Sequence, residues 1–165
     1  MKRTVVLLLS VISFTSAFAQ TKATTQSIPK LKIDELVKMI DTSTQPLIVN
    51  FWATWCKPCT HEIPWFEKTV AEYKDKNVKL VLVSLDFKED YPAKLKQFVT
   101  KQNYQSQVVW LNETNADVFC PKIDSSWGGS IPVTLMVNNK KNYRQFFEFQ
   151  IKEERLKQEV DKLVE

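Results

Sequence analysis

The sequence predicts an α/β domain with a central mixed β-sheet flanked by helices. Short apolar runs typical of buried strands alternate with segments in which apolar residues recur every three or four positions, as they do in helices. Near the C-terminus, two strand-like runs flank a turn rich in asparagine, which is typical of an antiparallel hairpin. The chain then ends on a helical pattern, so parallel and antiparallel strand pairs are expected in one sheet.

The N-terminal segment is interpreted as a secretory signal peptide and is excluded from the fold. Lys2 and Arg3 precede an apolar run over 5–12 and small residues that end at Ala19. The run is shorter than the ~20 residues that span a bilayer. We expect cleavage after Ala19 and a periplasmic location, with an uncleaved membrane anchor as the alternative. Residues 20–32 are predicted to be a flexible leader, and residues 33–165 to be one domain.

The predicted elements of the domain follow the chain in order. The first half contains a helix over 33–40, a strand over 47–52, a helix from just after Cys56 to about 76, bent at Pro64, and a strand over 78–85. The second half contains a helix over 92–101, a strand over 107–111, a short helical segment over 115–119 ended by Pro121, strands over 132–137 and 143–149, and a helix over 152–164.

Cysteine usage and charge restrict the function classes. The chain carries 23 basic and 19 acidic residues, interspersed along its length, so a nucleic-acid partner is not expected. Three cysteines are too few for a disulfide scaffold, and an odd number leaves one thiol over. Two of them form Cys-X-X-Cys at positions 56 and 59, a spacing that favours redox catalysis or metal binding.

The two cysteines are predicted to stand where a buried strand gives way to a helix. The helix N-terminus and the neighbouring Lys57 would lower the pKa of Cys56, and the thiolate is the reactive form of cysteine. We expect Cys56 to project outward and attack, and Cys59 to lie under the turn and resolve the mixed disulfide. Pro58 would stiffen the turn between them. The pair would be a redox-active disulfide with no other cofactor.

Glu62 is the local candidate for a proton acceptor. It lies three residues after Cys59, on the same helical face, and burial would raise its pKa toward neutrality. The alternative is a solvated glutamate stabilised by the helix dipole. His61 points about 200° around the helix from Cys59 and is interpreted as a surface residue.

Three segments resemble one known family. Phe-Trp-Ala-Thr-Trp-Cys-Lys-Pro-Cys at 51–59, Glu-Ile-Pro at 62–64 and Ile-Pro-Val-Thr at 131–134 are similar to thioredoxin-fold proteins of the exported TlpA/ResA type. The order of strands and helices agrees over the whole domain. The resemblance implies a thioredoxin-like fold with an inserted helix and strand near 92–111.

The resemblance also implies roles for individual residues. Ile131-Pro132 would be a cis peptide facing Cys56, with the Ile131 backbone bonding an extended substrate segment, although Pro132 could simply begin a strand. Trp55, Lys57 and Pro58 would face the substrate, with a solvated charge as the alternative for Lys57. Glu62 aligns with an acidic residue beneath the site in this family. Asn50 is a departure from cytosolic thioredoxins, which have a buried aspartate there.

Three further features are left with alternatives. The chain has only two glycines, Gly128 and Gly129, and the loop that contains them is expected to need positive φ. Trp127 is expected either to fill core or to cap the site. Cys120 is expected to be a buried thiol, with an intermolecular or regulatory disulfide as the alternative.

The expected activity is thiol–disulfide exchange with cysteine-containing client proteins. The resemblance favours reduction of client disulfides, with electrons from a membrane-bound thiol donor, and an oxidant or isomerase is the alternative direction. A binding module for Cu(I) or Zn(II) that uses Cys56, Cys59 and His61 is a second class. A purely adhesive or assembly domain is a third. The sequence does not predict an oligomeric state.

Overall fold

The computed structural model describes residues 27–165, which form six strands and five α-helices. The strands are β1 (Lys30–Leu31), β2 (Leu47–Trp52), β3 (Lys79–Ser84), β4 (Gln107–Leu111), β5 (Val133–Asn138) and β6 (Tyr143–Phe147). The helices are α1 (Ile33–Asp41), α2 (Lys57–Glu72), α3 (Ala93–Gln102), α4 (Ala116–Ile123) and α5 (Glu153–Val164). No helix within 27–165 has both the length and the apolar character needed to cross a bilayer.

All six strands belong to one mixed sheet, in the order β1-β4-β3-β2-β5-β6. Strands β1 to β4 run parallel to one another, whereas β5 is antiparallel to β2 and β6 is antiparallel to β5. The predicted mixed sheet and the predicted hairpin between β5 and β6 are therefore confirmed.

Strand β2 lies inside the sheet, and every one of its residues is buried. Because side chains alternate along a strand, Ile48, Asn50 and Trp52 share one face, and Val49 and Phe51 share the other. Helices α2, α3 and α5 cover the first face, and α1 and α4 cover the second. The two-sided cover explains why the segment 47–52 is almost continuously apolar.

The predicted boundary between leader and domain is wrong. Ile28 is buried, and β1 at Lys30–Leu31 pairs in parallel with Trp110 and Leu111 of β4, so the ordered domain begins before residue 33. A two-residue edge strand in a polar segment has too few residues to produce a periodic pattern. The predicted signal peptide over 1–19, and the leader up to residue 26, lie outside the described residues.

Other element ends also differ from the prediction. Helix α4 continues through Pro121 to Ile123, because buried Phe119, Cys120 and Ile123 anchor it and proline removes only one backbone bond. Helix α2 ends at Glu72, followed by a 3-10 turn and by Asn77 with φ of 56°. The last strand, predicted over 143–149, ends at Phe147.

Candidate active site

Cys56 and Cys59 stand at the N-terminus of α2, where the chain leaves β2. Cys56 is the N-cap residue, and its Sγ accepts a hydrogen bond of 3.4 Å from the backbone N–H of Cys59. The two cysteines form a disulfide. Pro58 occupies the first turn, where its missing N–H leaves no bond unmade. The site thus places the Cys56 sulfur against a backbone N–H in the first turn of the helix.

The two cysteines differ in exposure, in the predicted order. Cys56 is 6% exposed and Cys59 is 0% exposed. The prediction that Cys56 projects outward is therefore too strong for the oxidised protein. Its Sγ lies 3.9 Å from the carbonyl oxygen of Ile131, which covers part of the sulfur.

Glu62 lies on α2 and is completely buried. Its Oε1 accepts a hydrogen bond of 2.8 Å from Nδ2 of Asn50, and its Oε2 accepts one of 2.8 Å from the backbone N–H of Ile151. Desolvation raises the pKa of Glu62 to about 7, and the two hydrogen bonds only partly oppose that increase. The predicted burial and raised pKa are confirmed, and the solvated alternative is wrong.

Asn50 belongs to β2 and lies beside Thr134 of β5 in the sheet register. Its Nδ2 donates to both Glu62 and Oγ1 of Thr134, the latter at 3.0 Å. Its Oδ1 is buried and has no hydrogen-bond partner among residues 27–165. The asparagine at position 50 therefore places a neutral amide against the Glu62 carboxyl, where the aspartate of cytosolic thioredoxins would place a second carboxyl.

The opposite wall of the site is the start of β5. The Ile131-Pro132 peptide bond is cis, as the resemblance implies. The carbonyl oxygen of Ile131 faces the Cys56 sulfur. The preceding loop contains Gly129 with φ of 91°, which confirms the expected positive φ. Glu148 holds this loop by accepting hydrogen bonds of 3.0 Å from the Gly128 N–H and from Oγ of Ser130.

Four residues close to the cysteines in sequence are exposed, whereas Trp127 is buried. Trp55, Lys57, Pro58 and His61 are all exposed, so the first three are open to a substrate and His61 is a surface residue as predicted. Trp127 is a core residue, because it is buried and its ring lies 4.7 Å from that of Phe51. The alternative that Trp127 caps the site is wrong.

Cys120 is buried in α4 as a free thiol. Burial, with smaller contributions from the negative charges of Asp117 and Glu148, raises the pKa of Cys120 to about 11. The expectation of a buried thiol is confirmed, and its raised pKa disfavours the reactive thiolate that a regulatory disulfide needs.

Besides Glu148, the sequence did not predict the parts that Asp86, Gln150 and Ile151 play in the site. Asp86 follows β3, and its carboxylate accepts hydrogen bonds of 3.0 and 3.2 Å from the backbone N–H of Thr54. Its position directly after a buried strand was the available signal. Gln150 and Ile151 contact the site from the connection between β6 and α5, Gln150 through a bond of 2.8 Å to the Pro58 carbonyl. No local pattern marks these contacts.

Residues 18–152 match the model of the AhpC/TSA family, so the chain belongs to that family. It is similar to the thiol-disulfide oxidoreductase ResA of Oceanobacillus iheyensis, with 41% identity over 66 residues, 35% of this chain and 34% of that protein. It is also similar to ResA of Halalkalibacterium halodurans, with 26% identity over 104 residues, 63% of this chain and 54% of that protein. The chain thus spans about a third to a half of the length of these relatives.

Solved structures show the same fold. A thioredoxin-related protein from Neisseria meningitidis serogroup B superposes with a TM-score of 0.62 and 26% identity, over 73% of this chain and 86% of that one. StoA from Bacillus subtilis superposes with a TM-score of 0.55 over 72% of this chain and 84% of that one. The predicted thioredoxin-like fold, with α3 and β4 as the inserted helix and strand, is confirmed.

Proposed function

We propose that this chain is an exported thiol–disulfide oxidoreductase that reduces disulfides in client proteins through Cys56 and Cys59. The observation that carries the proposal is the Cys56–Cys59 disulfide at a helix N-terminus, with unequal exposure of its two cysteines and with Glu62 buried in the same helix. The ResA relatives, which are named thiol-disulfide oxidoreductases, support the same chemistry.

The reaction proceeds in two exchange steps. In the reduced protein, the Cys56 thiolate attacks one sulfur of a client disulfide, and the other client sulfur leaves as a thiolate and takes up a proton. The Cys59 thiol then gives its proton to the Glu62 carboxylate and attacks Sγ of Cys56. The Cys56–Cys59 disulfide forms and the second client sulfur leaves as a thiolate. Two electrons have passed to the client.

Each site residue has a proposed part in these steps. Glu62 is the proton acceptor for Cys59, since a carboxyl with a pKa of about 7 takes up and releases protons near neutral pH. Ile131 and Pro132 form the wall along which an extended client segment lies, and Trp55, Lys57 and Pro58 form the exposed rim. A membrane-bound thiol donor returns the protein to the dithiol form.

Export rests on the N-terminal residues. Lys2, Arg3 and the apolar run that follows fit a signal peptide removed after Ala19, and they support a periplasmic location. The intact mass of protein recovered from the periplasm is expected to correspond to a chain that begins at Gln20. A mass that includes residues 1–19 would instead support an uncleaved anchor.

The decisive experiment traps the client. Replacing Cys59 by Ala removes the resolving thiol, so the mixed disulfide on Cys56 is expected to accumulate. Non-reducing electrophoresis and mass spectrometry would identify the linked proteins, and Cys56→Ser, which removes the attacking sulfur, is the matched control. Absence of any disulfide-linked protein from the Cys59→Ala variant would count against the enzymatic function.

The direction of transfer is tested by the reduction potential. A reductant of client disulfides is expected to have a potential toward that of thioredoxin, about −270 mV, whereas a strong oxidant lies near −120 mV. Equilibration of the Cys56–Cys59 pair with glutathione redox buffers measures the value. A reduction potential near −120 mV would contradict the proposed reduction of client disulfides and would support an oxidant.

A non-enzymatic Cu(I) or Zn(II) module is the less favoured function. Within residues 27–165, no three or more His, Cys, Asp or Glu side chains are grouped so that they could hold a metal. Stable binding of either metal by the reduced protein, abolished by Cys56→Ser, would support this class.

A further inference from the structure

Two aromatic rings lie exposed beside the cysteines. Trp55 is 53% exposed and Phe87 is 61% exposed. Their rings stack with centroids 5.8 Å apart and an angle of 18° between planes. We call this pair the aromatic shelf. Trp55 directly precedes Cys56, so the shelf begins one residue from the sulfur that forms the mixed disulfide.

The shelf is held in place from beneath. Beyond the ends of β2 and β3 the two segments of the chain continue side by side. They are joined by a hydrogen bond of 2.8 Å from the Leu85 N–H to the Trp52 carbonyl. Asp86 follows Leu85, and its carboxylate accepts from the N–H of Thr54, two residues after Trp52. Trp55 follows Thr54 and Phe87 follows Asp86, and the rings of Trp55 and Phe87 stack on each other.

Asp86 is itself fixed. Its side chain is nearly buried and accepts a hydrogen bond of 2.7 Å from Oγ of Ser84. Its carbonyl accepts one of 2.8 Å from Nε1 of Trp110. Burying a carboxylate is unfavourable unless donors surround it, as they do here. The fold therefore uses a buried charge to hold two rings that remain in solvent, an arrangement that contributes little apolar burial to stability.

The exchange reaction determines what approaches the shelf. A disulfide brings the Cα atoms of its two cysteines within about 4.4–6.8 Å, so a client's main chain must pass close to Cys56. Successive residues of an extended client advance by about 3.3 Å. Side chains one or two positions from the client cysteine therefore come within reach of Trp55 and Phe87.

We infer that the aromatic shelf binds an apolar side chain next to the attacked cysteine, so that the preferred clients carry an aromatic or large aliphatic residue one or two positions from it. Phe87 is the specificity-determining residue, and Asp86 is a positioning residue that acts through the shelf. This inference rests on the proposed function, since it assigns a client class to the same site.

The test uses two peptides that differ only beside one cysteine. One carries Phe on both sides of the cysteine and the other carries Ser, and each is joined in a mixed disulfide to the same chromogenic thiol. The reduced protein releases that thiol, and the ratio of the two second-order rate constants is measured. The wild-type ratio is expected to favour the Phe peptide by roughly three- to tenfold, the range of an aromatic pair contact.

Variants locate the origin of the preference. Phe87→Ser is expected to bring the ratio below about twofold, and Asp86→Asn to lower it because the shelf loses its support. Val118→Ser removes another exposed apolar side chain, on α4, and is expected to keep the wild-type ratio. Asp90→Asn, four residues after Asp86, is the matched control for the charge.

The outcomes separate this inference from the proposed function. An unchanged ratio in Phe87→Ser, or a wild-type ratio of one, would overturn the aromatic shelf while the oxidoreductase stands. Failure of the reduced wild type to react with either peptide, and with hydroxyethyl disulfide, would overturn the proposed function itself. A wild-type dimer in sedimentation equilibrium that Phe87→Ser dissociates would show that a second copy occupies the shelf, which also overturns the inference.

Discussion

Glu62 shows how one buried side chain acquires a pKa suited to its proposed reaction. Removal of the carboxyl from water favours the neutral acid, while the donors from Asn50 and Ile151 favour the carboxylate. Desolvation is the larger effect, and the pKa settles at about 7. An aspartate at position 50 would add a second negative charge at hydrogen-bond distance, whereas the amide of Asn50 stabilises the charged form without one.

Replacing Glu62 by Gln is expected to slow the second exchange step specifically. Without the carboxylate, Cys59 has no buried proton acceptor, and resolution of the mixed disulfide should fall by about 100-fold, at the lower end of general base catalysis. The wild-type resolution rate should rise to about pH 7 as Glu62 ionises and then level off. The variant rate should keep rising with pH and show no plateau near pH 7, because Cys59 then loses its proton only to solvent base. Acid quenching followed by mass spectrometry of the mixed disulfide measures both steps.

The control for this prediction is Glu72→Gln, an exposed glutamate of the same helix. It should resolve the mixed disulfide at the wild-type rate. Equal slowing of the first and second steps in Glu62→Gln would contradict the proposed role and would indicate damage to the helix.

Residues that act through local spacing were predictable from the sequence. Cys56, Cys59 and Glu62 lie within seven consecutive positions, so helical geometry alone places them together. Asp86 and Ile151 contact the same site from distant parts of the chain. Their contacts depend on which strands are neighbours and where a connection crosses, and neither leaves a periodic signal.

The connection between β6 and α5 joins separate parts of the site. Glu148 holds the loop that precedes Ile131, Gln150 donates to the Pro58 carbonyl, and the Ile151 N–H donates to Glu62. Three residues within a four-residue stretch thus contact the substrate wall, the first turn of α2 and the proposed proton acceptor. The end of the sequence reads as an ordinary strand and helix, and only the structure shows that their connection supports the site.

Glu148→Ala is expected to loosen the substrate wall. The Gly128 N–H loses a charged acceptor at 3.0 Å, and its amide hydrogen exchange should accelerate roughly tenfold, a value reduced for partial exposure from the usual range for such bonds. Hydrogen exchange measured by NMR tests this. Glu154→Ala, an exposed residue of α5, should leave the Gly128 amide unchanged, and unchanged exchange in Glu148→Ala would show that Glu148 does not hold the loop.

The sheet as a whole brings the parts of the site together where β2 and β3 end and β5 begins. Parallel strands β2 and β3 both end there, which brings Asp86 into contact with Thr54, two residues before Cys56. Because β5 runs antiparallel to β2, its beginning lies beside the end of β2, and Pro132 therefore comes next to the cysteines. The sequence alone predicts these strands but not the pairing of β5 with β2, since strand order depends on contacts between residues far apart in the chain. The family resemblance implied only that Ile131-Pro132 faces Cys56.

The folded molecule as a whole should lose stability as pH rises because of Glu62. An unfolded chain releases this proton near the ordinary value of 4.5, whereas the native protein holds it until about pH 7. Between those values unfolding releases a proton, so rising pH favours the unfolded state. Glu62 should therefore lower the free energy of unfolding by roughly 3 kcal/mol across that window, with no further change below or above it.

Denaturant titrations of the oxidised protein between pH 4 and 8 measure this effect, since the disulfide keeps Cys56 and Cys59 from titrating. All other groups contribute equally to the wild type and to Glu62→Gln, so the difference between their free energies of unfolding isolates Glu62. That difference should shift in favour of the variant from pH 4.5 to 7 and then stay constant, while Glu72→Gln follows the wild type. Parallel profiles for the wild type and Glu62→Gln would mean that the native carboxyl ionises at its ordinary pKa, and Glu62 would then lack the property that suits it to accept the Cys59 proton near neutral pH.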